Sequence, residues 1–239
     1  MNKCVMKAFD GDKFDVGEHL LYEDQHLMCI SKPAGLLSQP DVSRAPSACA
    51  VADRWLQQTA RGGRTWPVHR LDRRVTGCLL LARSRQAAAS CSAAFAAATV
   101  TKHYLGVAGR GERAARVEVG ECGRLIEGAT GDRVVEWRAL AVAEGSALLA
   151  ISPLGGSKHQ IRKALASAGL ALAGDVRYGG RAVAGGALAL HAATLQLDHP
   201  LHGWATRLRI FSPLPPEWEL GLPAALVTAA TEVLRPHGG

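Results

Sequence analysis

A cationic turn that runs straight into an apolar segment constrains this chain more than any other feature. His69-Arg70-Leu71-Asp72-Arg73-Arg74 is followed by Val75-Thr76-Gly77 and then by Cys78-Leu79-Leu80-Leu81-Ala82. A polar loop that feeds a short apolar run bounded by turn residues reads as a loop leading into a buried strand. Asp72 is the only acid in that loop, with Arg70, Arg73 and Arg74 within two positions of it. Opposite charges at close range favour the ionised carboxylate. Such an acid holds a proton poorly and suits the part of an anion, as nucleophile or as electrostatic partner. An isolated aspartate among arginines is ordinarily a surface turn with local pairing. The rest of the chain has to change that reading.

With 239 residues the chain is long enough for one sizeable core or two small ones. A hydrophobic content of 48% and a charged content of 21% lie in the ordinary globular range and exclude disorder as the dominant state. No apolar run reaches the length needed to cross a bilayer. The opening MNKCVMKAFDGDKFDVGEHL mixes acids with lysines, lacking both a signal-peptide apolar stretch and the Arg-rich, acid-poor character of a transit peptide. A soluble, cytoplasmic protein is the expectation. Cys4, Cys29, Cys49, Cys78, Cys91 and Cys122 form no CxxC pair, so neither a zinc site, nor a redox motif, nor a disulfide framework is suggested. The 28 basic and 21 acidic residues leave a formal net charge of +7, which fits a polyanionic partner such as nucleic acid. Placement says more than the total. Arg64, Arg70, Arg73, Arg74, Lys102, Lys158, Arg162 and Lys163 accompany the loops of interest, as a concave phosphate-binding surface requires.

Taken in order, Leu20 to Ser31 reads as two short strands around Glu23-Asp24-Gln25, a hairpin. Lys32-Pro33-Ala34-Gly35 stops the second strand and leaves a lysine at the mouth of the turn. Residues 39 to 47 are loop-like, Ala48 to Gln58 has helical composition, and Gly62-Gly63 closes that helix. After the strand ending at Ala82, Ser84 caps an alanine-rich helix through Ala98. Strands follow at Thr101 to Ala108, Arg116 to Val119, Arg133 to Val142 and Ala147 to Ser152. Ser157 is placed to cap a helix over Lys158 to Ala168. Leu188 to Leu197 and Ala205 to Phe211 form a final strand pair, and Pro223 to Leu234 an amphipathic helix. Strands joined by short turns outnumber helices, which favours an α+β fold on a mixed, largely antiparallel sheet flanked by helices. One catalytic domain over residues 20–220 is the simplest account, with an N-terminal extension over 1–19 and a C-terminal helix and tail over 221–239.

Five stretches line up along this order: LYEDQHLMCISKPAGLLSQ, VHRLDRRVTGCLLLARS, KHYLGVAG, GGSKHQIRKALASAGLALAGDVRYGG and LHAATLQLDHPLHG. A lone HRLD is weak, but ordered motifs across about 180 residues are specific. Together they resemble the RluA-type RNA pseudouridine synthases in order, in spacing and over essentially the whole chain. The resemblance implies the pseudouridine synthase fold and an enzyme that isomerises uridine in ribosomal or transfer RNA, moving the glycosidic bond from nitrogen 1 to carbon 5. It also implies that no cofactor and no metal is needed. Matched to the family's motifs, Asp72 is the catalytic aspartate, Tyr104 the active-site tyrosine, and Arg162 the arginine that pairs with the aspartate.

These roles are chemically coherent. Breaking a glycosidic bond and rejoining the same pieces needs an anion near the anomeric carbon, a base held for rotation, and exclusion of water. Asp72 supplies the anion, Arg162 orients it and keeps it ionised, and Tyr104 offers a ring for the uracil and a phenol for proton transfer. A uridine inside folded RNA has to be turned out. His69, Arg70, His159 and Gln160 are expected to fill the vacated space or clamp phosphates, with Lys32, Arg73, Lys102 and Lys158 completing the RNA-binding set. The chain is expected to act as a monomer, away from membranes. His191, His199 and His202 lack carboxylate or cysteine partners at ligand spacing and read as structural. Departures from the family pattern are Arg74, where an acid or proline is usual, and Ser157, where an arginine precedes the HQIR motif. Two rivals differ in class. One is a non-catalytic RNA-binding or RNA-folding protein on the same scaffold. The other is a glycosidase or nuclease, which needs a second carboxylate or a metal that the motif loops do not supply.

Overall fold

The structure is a computed structural model that describes residues 9–127, 133–201 and 203–235. Part of the expected N-terminal extension, His202 and the end of the C-terminal tail lie outside the described residues. In chain order the first elements are β1 (Leu20–Glu23), β2 (Leu27–Lys32), α1 (Ala48–Gln58), β3 (Trp66–Pro67), β4 (Thr76–Ala82) and α2 (Arg85–Ala96). Then come β5 (Thr101–Ala108), β6 (Cys122–Glu127), β7 (Arg133–Ala143), β8 (Ser146–Leu154) and α3 (Gln160–Ser167). The last are β9 (Leu190–His199), β10 (Gly203–Phe211), α4 (Glu217–Gly221) and α5 (Ala224–Leu234). The mixed α+β class with largely antiparallel pairing is as expected. The described residues divide into two compact units, one of residues 9–101 with 194–212, the other of 102–193 with residues from 213 onward.

In the first unit β2 pairs antiparallel with both β1 and β4, and β10 with β9. All seven residues of β4 are buried, which is why its sequence is a continuous apolar run and not an alternation. Leu27, Cys29, Cys78 and Leu80 pack with Ala87 and Cys91 of α2 and with Leu195 and Leu197. Cys29 and Cys78 are thus the small core residues their apolar surroundings indicate. Ser47 and Ser84 start the two helices by accepting the amide hydrogens of Ala50 and Ala87 at 3.3 and 3.1 Å. At the end of α1, Gly62 takes φ +60° and donates to the Leu56 carbonyl, the left-handed closure that glycine favours.

The second unit carries β5, β8, β7 and β6 in antiparallel pairs. Glu144 and Gly145, both at positive φ, make the two-residue turn between β7 and β8. Leu105, Val107, Leu148 and Ala189 form its core with Trp218 of α4 and Leu226 and Ala230 of α5. Two expectations fail here. The strand expected over Arg116 to Val119 is a single 3-10 turn at Ala114–Arg116. The Glu121 amide donates to the Glu118 carbonyl and the Glu118 amide to the Glu121 carboxylate, closing a second turn there, and Gly120 at φ +89° breaks any extension, so the strand forms at β6 instead. The helix expected from Lys158 starts at Gln160, with His159 in the left-handed region at its N-cap. Ser157 does not cap it; the Gln160 side chain accepts the Ser157 amide instead.

Candidate active site

Asp72 lies in the turn that leads into buried β4, and its carbonyl accepts the Val75 amide at 2.9 Å. Both neighbours of Asp72 are fixed from the KPAGLLS segment. Leu71 donates its amide to the Ser38 hydroxyl at 2.9 Å and accepts that hydroxyl at its carbonyl at 2.8 Å. The Arg73 carbonyl accepts the Gly35 amide at 2.8 Å, and Arg73 Nε returns a bond to the Gly35 carbonyl at 2.9 Å. Gly35 adopts φ +93°, a left-handed conformation that makes this close exchange possible. A half-buried carboxylate with both flanking residues tied down is a preorganised anion.

Lys32 completes the turn from beneath. Its side chain is 0% exposed, and Nζ donates to the carbonyls of Pro33, Leu36 and Arg73 at 2.9, 2.9 and 3.2 Å. Burial pushes its ammonium down to about 7, opposed by attraction to Asp72 and assisted by repulsion from Arg73. Three carbonyl acceptors match the three donors of the charged form, since a neutral amine has only two. Lys32 therefore does not reach RNA phosphates as expected; it is a buried strut under the Asp72 turn. His69 is also used internally. Its Nε2 accepts the Leu80 amide at 2.9 Å, and its ring stacks on Phe95 with centroids 4.6 Å apart. Arg70 and Arg73 are exposed, as phosphate contacts require.

In the other unit Tyr104 sits half-buried on β5 opposite Ile151. Lys102, two residues before it, is half-buried and donates to the Gly155 carbonyl, and burial holds its ammonium below the usual lysine range. Lys158 is exposed. Gln160 is 4% exposed and spends its amide on the Val134 and Leu154 carbonyls at 3.2 and 2.8 Å. It braces the loop before α3, contrary to the expectation of an RNA contact. His159 Nδ1 lies 2.8 Å from the Tyr178 hydroxyl. Arg162 is buried and makes a bidentate pair with Asp175, Nε and Nη2 each 2.7 Å from a carboxylate oxygen, while its guanidinium stands 5.0 Å over the Tyr178 ring.

Asp175 and Tyr178 are absent from the residues expected at the site. The signal for them was a GDVRYGG turn, in which an acid and an aromatic are enclosed by glycines. Among the described residues no three His, Cys, Asp or Glu side chains are grouped to hold a metal ion. No helix among them is long and apolar enough to cross a membrane.

Comparisons with known proteins bear on the fold and the family. The ribosomal large subunit pseudouridine synthase D of Pseudomonas aeruginosa is 29% identical, with 87% of this chain and 72% of the relative covered. The enzyme of the same name from Nitrosomonas europaea is 33% identical, with 91% and 68% covered. Among solved structures, human RNA pseudouridylate synthase domain containing 4 shares the fold with a TM-score of 0.66 at 20% identity, covering 92% of this chain and 94% of that one. Residues 26–167 match the family described as RNA pseudouridylate synthase, so the chain belongs to the RNA pseudouridylate synthase family.

Proposed function

We propose that this pseudouridine synthase converts uridine in large-subunit ribosomal RNA, without cofactor, with Asp72 as the catalytic carboxylate and Tyr104 and Arg162 as its partners. The observation that carries the reading is the Asp72 turn. A half-exposed carboxylate stands between two residues fixed by main-chain bonds, above a buried lysine that attracts it. In the reaction the N1–C1′ bond of uridine breaks, a C1′–C5 bond forms, the C5 proton leaves and N1 ends protonated. Asp72 meets the anomeric carbon as an anion while the uracil is held and turned. Tyr104 stacks on the base and serves the proton transfer at C5, and Arg162 orients the carboxylate. Arg70, Arg73 and Lys158, all exposed, carry phosphate contacts. The protein acts as a monomer in the cytoplasm.

The test is tritium release from unmodified large-subunit ribosomal RNA and transfer RNA transcripts that carry 5-tritiated uridine. The expected result is release with pseudouridine as product from the ribosomal transcript, and none from Asp72→Asn protein that still folds and binds the same RNA. Release from the transfer RNA transcript alone would move the target class. Near-normal turnover by Asp72→Asn removes Asp72 from the chemistry, and free uracil or cut RNA points to hydrolysis in place of isomerisation.

A further inference from the structure

We propose that Asp175 is a positioning residue of the isomerisation, one that fixes the guanidinium plane of Arg162. This rests on the role given to Arg162 above. The pair is closed off from water: Arg162 is 6% exposed and Asp175 0%. Removing two charges from water costs about as much as their attraction returns, so a buried pair is a poor device for stability alone. What the pair supplies is direction. Two parallel bonds of 2.7 Å from Nε and Nη2 to the two carboxylate oxygens lock both the edge and the plane of the guanidinium. The Tyr178 ring covers one face of that plane at 5.0 Å.

The segment that delivers Asp175 is built around it. Its amide donates to the Leu172 carbonyl at 3.0 Å, and its own carbonyl accepts the amides of Tyr178 and Gly180 at 3.0 and 2.9 Å. Glycine is required on both sides. A Cβ at Gly174, which sits at φ +79°, would fall 1.9 Å from the Ala187 carbonyl oxygen, and one at Gly180 would fall 2.0 Å from that of Leu172. The same turn reaches back through the Tyr178 hydroxyl to His159, whose left-handed backbone begins α3. One tight turn thus grips the first residue ahead of the helix and the arginine that is the helix's third residue.

A purely structural pair and a positioning pair part company in kinetics. Asp175→Asn keeps the shape but offers a single acceptor, so the guanidinium loses its second anchor. On tritium-labelled ribosomal RNA transcripts the expected outcome is a fall in kcat of about 100-fold, the scale of a misplaced reacting group, with RNA affinity within about threefold. Because Asp175 acts through Arg162, the double variant Arg162→Ala/Asp175→Asn should be no slower than Arg162→Ala alone. Asp175→Glu, which keeps the charge but shifts the carboxylate by one methylene, provides a second measurement should the asparagine variant not fold; its kcat should fall about tenfold or more. Folded Asp175→Asn or Asp175→Glu protein with wild-type kcat, or losses that add in the double variant, would overturn the inference. Arg162→Ala with unimpaired kcat would instead sink the assignment of Arg162 itself.

Discussion

The buried ammonium of Lys32 donates to the main-chain carbonyl of Arg73, the residue that follows Asp72. That carbonyl also accepts the Gly35 amide, so one atom gathers strand β2, the turn after it and the Asp72 turn. Replacing Lys32 by methionine keeps the bulk and removes the donor shared by the Pro33 and Leu36 carbonyls. Unsatisfied buried acceptors cost about 1–3 kcal/mol each, so with two carbonyls orphaned Lys32→Met should lose about 2–6 kcal/mol of stability. Urea unfolding with an unchanged slope and a lower midpoint would show it. A midpoint equal to that of the wild type would mean the carbonyls find other donors.

Lys32 also sets a pH dependence of stability. Its native value near 7 lies below the ordinary value of 10.5, so between them the unfolded chain binds the extra proton. Stability from this group therefore rises as pH climbs from about 7 towards 10.5. Cys49 and Cys91, pushed up to about 11 by burial, work in the opposite direction above their ordinary value of 9. The difference in unfolding free energy between wild type and Lys32→Met isolates the lysine. That difference should grow with pH from 7 to 9; a flat difference would mean Lys32 titrates at its ordinary value.

Arg70 and Lys158 are exposed, whereas Gln160 and Lys32 are buried. Each phosphate contact contributes about one unit to the slope of log affinity against log salt. Arg70→Ala and Lys158→Ala should each weaken RNA binding and flatten that slope by about one. Gln160→Ala should leave the slope alone and lower the melting temperature. An unchanged slope for Arg70→Ala takes it out of the phosphate-binding surface.

Much of this was legible in the sequence, for reasons tied to particular residues. Serine caps at 47 and 84 and the apolar run of β4 are local signals, and α1 and β5 begin and end where composition places them. The Asp72 turn was legible from its motif. What sequence could not give is direction. Lys32 carries a charge at the end of a strand, and only the buried neighbours of β2 turn it inward. Gln160 and His69 are polar residues beside basic motifs, yet each answers a main-chain group from another segment. Asp175 is separated from Arg162 by a helix end and a glycine turn, so nothing local marks their pairing.

The far end of β2 offers an acid-side counterpart. Asp24, at the turn between β1 and β2, accepts the His26 and Leu27 amides, each at 2.7 Å, the Tyr22 hydroxyl at 2.5 Å and His199 Nε2 at 2.9 Å. His199 is fully buried, and its other ring nitrogen accepts the Leu201 amide, so the bond to Asp24 uses an Nε2 hydrogen. Burial raises the Asp24 value, but the bonds from Tyr22, the two amides and His199 outweigh it and leave the carboxyl below its ordinary range. The same contact works in reverse on Tyr22, whose phenol burial and Asp24 push up to about 12. A carboxyl depressed in the folded state contributes in full above its unfolded value and loses that contribution as pH falls through the folded one. Asp24→Asn should therefore be less stable than wild type at neutral pH by about 1–3 kcal/mol, the scale of a disrupted buried acceptor. The gap should close as pH falls below about 4, where the unfolded chain's carboxyl takes up a proton that the folded one does not yet bind. Unfolding midpoints in urea from pH 2 to 7 measure both. If the variant keeps the wild-type acid limb, the hairpin is held by its strands and not by this carboxylate.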